Sequence, residues 1–239
     1  DWSSDVCSSD LRLAGRLDHI EPFYVMEFAK AAAALARTPA CDPQQGGRPM
    51  IFLNIGEPDF TAPVPVQQAA IRAIQDGRSQ YTDALGLPAL REAISGWYRQ
   101  RFGLDVPAAR IVVTAGASAA LQLACLALFE PGDEVLMPDP AYPCNRHFVA
   151  AAGAQAVNLP CGPDKRFQLD AADVASHWSA RSRGVLLASP SNPTGTSIAP
   201  DEMRRIHAEV QSRGGDRKST RLKSSHGYIS YAVFCLKKK

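Results

Sequence analysis

The chain has 239 residues, 46% hydrophobic, 8% aromatic and 21% charged, with 26 Lys or Arg against 24 Asp or Glu. This is enough material for one substantial core, and by itself it excludes little. No apolar stretch approaches the roughly 18 residues of a membrane span, and the run Ala31 to Ala36 is short and sits beside Lys30, so no membrane partner is expected. The first residues are polar and acidic rather than basic and then apolar, which is not the pattern of a secretory signal, and a cytoplasmic location is expected.

In chain order, residues 1–11, DWSSDVCSSDL, have no periodicity, core pattern or turn logic. The stretch from Asp216, DRKSTRLKSSHGYISYAVFCLKKK, is equally foreign to what precedes it. Codons link the two. The head can be written GAC TGG AGT TCA GAC GTG TGC TCT TCC GAT, and its reverse complement, read after a leading G, encodes D-R-K-S-T-R-L-N-S-S. The tail begins with the same string except at Lys223. Opposite ends of a protein have no physical reason to encode each other on opposite strands, and the inferred DNA resembles a sequencing-library adapter. Residues 1–11 and 216–239 are therefore expected to be adapter-like, in preference to a basic nucleic-acid-binding tail, and no nucleic-acid partner is expected. Without them, residues 12–215 carry 19 basic and 20 acidic side chains, so the basic balance belongs to the ends. Cys41, Cys125, Cys144 and Cys161 remain, with no spacing that suits zinc.

Residues 12–50, with an alanine-rich helix around Glu27 to Ala36 and a loop from Pro39 to Pro49, read as an N-terminal arm. Residues 51–215 alternate helix-like and strand-like stretches. Pro65 to Asp76 is predicted as a helix stopped at Gly77, and Pro88 to Phe102 as a second one ending at Gly103, with Leu90, Ile94, Trp97 and Tyr98 on one face. Ile111 to Thr114 reads as a short strand, followed by a helix from Ala119 to Phe129, a turn at 130–133 and a strand from Glu134 to Met137. Helix Asn145 to Ala152, strand Ala156 to Leu159, strand Gly184 to Ala188 and helix Pro200 to Arg213 follow. The alternation implies an α/β layer, a mostly parallel sheet with helices on both faces. Ligands of such sheets sit at the carboxyl ends of the strands, so the loops after strands matter most.

Three such loops stand out. Ala115-Gly116-Ala117-Ser118-Ala119-Ala120-Leu121 runs straight into a helix; small side chains let an anion approach the free N–H groups of the helix start, and Ser118 adds a hydroxyl donor. The same residues also suit a plain N-cap with close helix packing. Pro138-Asp139-Pro140-Ala141-Tyr142-Pro143 stiffens the backbone around one aromatic ring, on which a planar heteroaromatic ligand could stack, or it is simply a rigid turn. In Ser189-Pro190-Ser191-Asn192-Pro193-Thr194-Gly195 the Asn192 amide can donate to a ring hydroxyl, and the Asn192-Pro193 bond is a candidate for cis geometry; a loop before a capped helix is the plainer reading. Together they offer a phosphate cradle, a stacking ring and a hydroxyl partner, in chain order.

With these motifs, and with Asn54-Ile55-Gly56-Glu57-Pro58-Asp59-Phe60 and Tyr81-Thr82-Asp83-Ala84-Leu85-Gly86 followed by Leu90-Arg91, the chain resembles the class I/II aminotransferases of the aspartate aminotransferase superfamily across residues 12–215. The resemblance implies part of the large domain of fold-type-I, pyridoxal-phosphate-dependent enzymes. It implies that Ala117 and Ser118 hold the phosphate of pyridoxal 5'-phosphate, that Tyr142 stacks on its ring and that Asn192 bonds its phenolic oxygen beside the substrate. It further implies that Tyr81 reaches the phosphate of a neighbouring subunit's cofactor, that Gly56 lines the pocket for the substrate carboxylate, and that the parent is a homodimer acting on an amino acid and a 2-oxo acid.

The family's later motifs, among them its cofactor-bound lysine, find no match here, and Lys30 and Lys165 fit no catalytic context. No catalytic residue and no metal ligand is therefore assigned, and the chain is expected to be an inactive, poorly folding front half whose sheet has an uncovered edge. Carbon–sulfur lyases and cyclopropane-forming synthases share these front-half motifs. A transcription regulator with an aminotransferase-like sensing domain would need a longer segment than 12–50, and a nucleotide-binding module would need the glycine fingerprints that are absent.

Overall fold

A computed structural model describes residues 13–56 and 60–213 and the strand backbones 215–223 and 231–237. Residues 1–11 and the Glu57-Pro58-Asp59 part of the Asn54–Phe60 signature lie outside the described residues. The helices in chain order are α1 (Tyr24–Leu35), α2 (Val64–Gln75), α3 (Pro88–Phe102), α4 (Gly116–Leu128), α5 (Cys144–Ala151), α6 (Ala171–His177) and α7 (Pro200–Ser212). The strands are β1 (Glu134–Asp139), β2 (Gln155–Pro160), β3 (Ser182–Ser189), β4 (Gly215–Lys223) and β5 (Tyr231–Lys237). Two compact units divide the chain, one of residues up to Asn54 and from Ala120 onward, the other of Ile55–Ala119.

In the larger unit the strand order is β2-β1-β3-β5-β4. β1 runs parallel to both β2 and β3, as the alternation of helices and strands predicts. Side chains of a strand alternate between faces, and here both faces are dry. Val135 and Met137 of β1, with Leu186 of β3, pack with Leu121 and Cys125 of α4, Phe129 and Val149 of α5. Leu136, Val185 and Leu187 pack on the opposite side with Leu169, Val174 of α6 and Ile206 and Val210 of α7. A strand sandwiched this way reads as a continuous apolar run, which is what Val135-Leu136-Met137 and Val185-Leu186-Leu187 are. Burial leaves the Cys125 thiol inert, with its pKa pushed up to about 12.

The tail corrects one expectation. β5 pairs antiparallel with β3, from Gly184↔Leu236 to Ser189↔Tyr231, and β4 pairs antiparallel with β5, so the edge of β3 is covered. Backbone pairing is blind to side-chain pattern, and an open strand edge offers a row of N–H and C=O groups that any extended segment can use. Helix α6 was not anticipated either. Its start is a reciprocal cap, in which the Asp170 side chain accepts from the Asp173 N–H at 2.8 Å and the Asp173 side chain from the Asp170 N–H at 3.1 Å.

Glu134, 6% exposed, anchors the beginning of β1. Its carboxylate accepts from Ser179 Oγ at 2.5 Å and from Arg181 Nε at 2.9 Å. The Ser179 hydroxyl and the Arg181 guanidinium hold its pKa below the usual glutamate value despite burial. A carboxylate with a lowered folded pKa contributes stability that is fully present above its unfolded pKa and is lost as pH falls through the folded one. Glu134→Gln should therefore lower stability at neutral pH by about 1–2 kcal/mol, discounted for the exposed Arg181, and the gap to the unaltered chain should close on acidification. Urea midpoints measured against pH test this; a gap that widens toward acid would be the wrong sign.

The smaller unit holds α2 and α3, neither of which has a buried residue. Here a second expectation fails: residues 111–114 form no strand. Ile111 is extended (φ −106°, ψ 126°), and the Val113 N–H bonds to the Leu85 carbonyl at 3.0 Å. The β-branched run is extended as its residues prefer, without a ladder partner among the described residues. That contact explains Gly86, whose φ is 92° and whose missing Cβ would lie 2.6 Å from Val113 Cβ. Arg91 is a brace, with Nε donating to the carbonyls of Ala108 (3.1 Å) and Ile111 (3.0 Å).

In the arm, α1 buries no side chain. Arg16 Nη1 donates to the Ala151 carbonyl at the end of α5 at 3.2 Å. The predicted loop from Pro39 contains two short 3-10 turns, Pro39–Cys41 and Pro43–Gln45, the second capped by the Asp42 side chain.

Candidate functional site

Because β1 and β3 are parallel neighbours, the loops that follow them leave the same end of the sheet. The first carries Tyr142 and the second Asn192, so the structure brings these two predicted loops to one edge. The Asn192–Pro193 bond is cis, as are Asp139–Pro140 and Ser189–Pro190. Asn192 is exposed in its loop. Tyr142 is half-buried and lines a small depression with Asp139, Arg146 and Asn158. Phe23 from the arm meets the Tyr142 ring edge-on, with centroids 6.2 Å apart and planes at 73°. The Tyr142 carbonyl accepts the Asn145 N–H at 3.0 Å, so the residue also starts α5. Beside it, His147 has its pKa lowered by burial and then by Arg146, opposed by Glu21.

The other predicted residues belong to the smaller unit. Gly116, at φ 83°, opens α4, and Ala117 and Ser118 follow in its first turn. Helix geometry leaves the N–H groups of that turn without intrahelical partners; Ser118 is exposed and Ala117 half-buried. The expectation that all three loops follow strands of one sheet holds for two, since α4 is reached from the extended residues 111–114. Tyr81 is fully exposed and lines an open concavity with Ser79 and Gln80. Gly56 is exposed too, with nothing within 4 Å of the position a Cβ would take.

In the larger unit the strand-end loops offer one aromatic face and one side-chain amide; in the smaller unit the first turn of α4 offers N–H groups and the Ser118 hydroxyl. Lys165 donates to Asp173 at 2.5 Å and to Asp170 at 3.2 Å, and these partners push its pKa up to about 12. The Lys165 ammonium is thereby held in its charged form. Lys30 is paired with Glu27 at 2.7 Å on an exposed helix face.

Sequence reading missed Gln168, which is 6% exposed and hydrogen-bonded to both flanks of the Asn192 loop. A lone glutamine carries no signal in sequence. The Asp170-x-x-Asp173 cap just after it was the visible sign that this segment is ordered.

A mixed sheet whose parallel part, β2-β1-β3, is covered on both faces, with an aromatic and an amide on adjacent strand-end loops, defines an α/β protein of the kind that binds a ligand at its strand ends. The chain belongs to the aminotransferase class I and II family, whose model matches residues 48–215. It is 41% identical over 187 residues to the valine–pyruvate aminotransferase of Mycobacterium tuberculosis, covering 78% of this chain and 46% of that protein. It is 36% identical over 211 residues to the bifunctional aspartate aminotransferase and glutamate/aspartate-prephenate aminotransferase of Petunia hybrida, covering 88% of this chain and 42% of the relative. In three dimensions it matches the crystal structure of an aminotransferase from Mycobacterium tuberculosis with a TM-score of 0.75 at 40% identity, over 84% of this chain and 50% of the other. The chain thus spans about half the length of the relatives it matches.

Proposed function

We propose that this chain is part of a cytoplasmic, homodimeric, pyridoxal-phosphate-dependent aminotransferase, which moves an amino group from an amino acid to a 2-oxo acid. The observation that carries the reading is the adjacent exit of the Tyr142 and Asn192 loops from β1 and β3, in a chain whose residues 48–215 match the family. In this reading the first-turn N–H groups at Ala117 and Ser118, with the Ser118 hydroxyl, hold the cofactor phosphate. Tyr142 lies against the ring and excludes water from one face. Asn192 donates its amide to the phenolic oxygen and borders the substrate. Gly56 leaves room for the substrate carboxylate, and Tyr81, fully exposed here, reaches the phosphate in a neighbouring subunit. When bound, the cofactor supplies an electron-accepting ring that eases removal of the substrate's α-proton.

A partner subunit is supported by the apolar side chains that α2 and α3 leave exposed, Ile71, Ile74, Leu90 and Trp97. Among the described residues no helix is long and apolar enough to cross a membrane. The names of the relatives suggest donors to try first.

A protein of the relatives' full length carrying residues 12–215 should convert pyruvate to alanine with valine or aspartate as donor, in ping-pong kinetics. Consumption of the amino acid with release of ammonia or a thiol, and no use of the oxo acid, would replace transamination by lyase chemistry.

A further inference from the structure

Gln168 lies between β2 and α6, outside every residue assigned above. Its amide nitrogen donates to the Ala188 carbonyl at 3.3 Å, the Thr196 carbonyl at 2.9 Å and Thr196 Oγ1 at 3.2 Å. Ala188 is the penultimate residue of β3, and Thr196 directly follows the Ser189–Gly195 loop. A single buried amide therefore ties together the strand end from which the loop departs and the residue at which it returns. The loop's own bonds close it from within: the Ser191 N–H to the Thr196 carbonyl at 2.8 Å, and the Gly195 N–H to the Ser191 carbonyl at 2.8 Å. None of these bonds uses the Asn192 side chain, which is left at the exposed apex.

The rest of the Gln168 side chain argues that packing is not its purpose. Oε1 is buried with no hydrogen-bond partner among the described residues. A buried polar atom without a partner is a cost that Leu or Met at this place would not carry. A residue that keeps such a cost while bracing a functional loop fits a positioning role better than a core role.

We propose that Gln168 is the positioning residue of the Asn192 loop, fixing where the Asn192 amide meets the phenolic oxygen of the cofactor. This rests on the reading of Asn192 given above, and the test separates the two. Non-covalent affinity for pyridoxal phosphate and for its analogue without the ring hydroxyl is measured on the full chain by equilibrium dialysis. The ratio of the two affinities isolates the contact made by Asn192. A hydrogen bond to an ionised oxygen makes that ratio about tenfold in the unaltered chain.

Gln168→Met, of similar length but without the donors, should bring the ratio to about one to threefold and leave affinity for the analogue unchanged. Thr196→Val, which removes one leg of the brace, should lower the ratio by about half, and it decides the matter if Gln168→Met does not fold. Asn192→Ala should abolish the preference. If Asn192→Ala abolishes it while both brace variants retain it, the assignment of Gln168 is overturned and that of Asn192 stands. Equal loss of affinity for both ligands in the brace variants marks a merely structural residue and also overturns it. An unaltered chain that binds neither ligand, or shows no preference, or keeps one in Asn192→Ala, overturns the Asn192 reading and the proposal with it.

Discussion

Leu136→Ala should lower the free energy of unfolding by about 2–5 kcal/mol, the range for emptying a buried leucine site that cannot collapse. Leu136 has no exposed surface and stands in β1, which has β2 on one side and β3 on the other. Its neighbours in the core come from both of those strands and from α6 and α7, so no single element can shift to fill the space. Natural domains have only about 5–15 kcal/mol in hand, and the loss would move the urea midpoint far toward zero or prevent folding. Leu123→Ala on α4, where the side chain is 52% exposed, is the control and should change stability by less than about 0.5 kcal/mol. A Leu136→Ala effect no larger than the control would mean that the two-faced sheet is not the core of the chain.

Much of that core was legible before any coordinates. The apolar runs 135–137 and 185–187 are too short for helices and too continuous for a half-exposed strand, and Pro-Gly or Pro-rich punctuation bounds them. Helix α3 was legible to the residue, because Pro88 and Gly103 mark both ends. The failures have physical causes too. Residues 111–114 have the composition of a strand, but whether extended chain becomes sheet depends on a neighbour that local sequence does not encode. The tail errs in the opposite direction: it reads as foreign to the rest of the chain, yet its backbone finds the edge of β3. Helix α6 was hidden because its seven residues span too few turns to show a period.

The candidate site divides along similar lines. Motif residues that act through backbone shape, such as the prolines around Tyr142 and Asn192, announce themselves because proline narrows what the chain can do. Residues that act by bracing stay silent. Arg91 appeared in sequence as part of a family motif, and its donors turn out to hold the 108–111 turn. Gln168 appeared as nothing at all. A brace is defined by the distance to its acceptors, and those lie 20 and 28 residues away along the chain.

Gly116→Val should lower affinity for pyridoxal phosphate by about 10- to 100-fold while leaving affinity for pyridoxal, which has no phosphate, nearly unchanged. Gly116 begins α4 at φ 83°, a left-handed conformation, and nothing lies within 4 Å of the place a Cβ would occupy. The expected effect is therefore conformational rather than a clash. An L residue loses roughly 1–2 kcal/mol there, and a β-branched one more, so the turn would rotate toward negative φ and carry the first N–H groups of α4 out of convergence. Those groups and the Ser118 hydroxyl are the proposed phosphate contacts, and the pyridine ring would still have Tyr142 and Asn192. Ser118→Ala removes one donor without moving the backbone and should cost about three- to tenfold in the same comparison. Equal losses for the two ligands in Gly116→Val would show that the substitution had only loosened the fold. A selective loss, graded from Ser118→Ala to Gly116→Val, would locate phosphate recognition in the first turn of α4, where a helix start offers an anion its unpaired N–H groups.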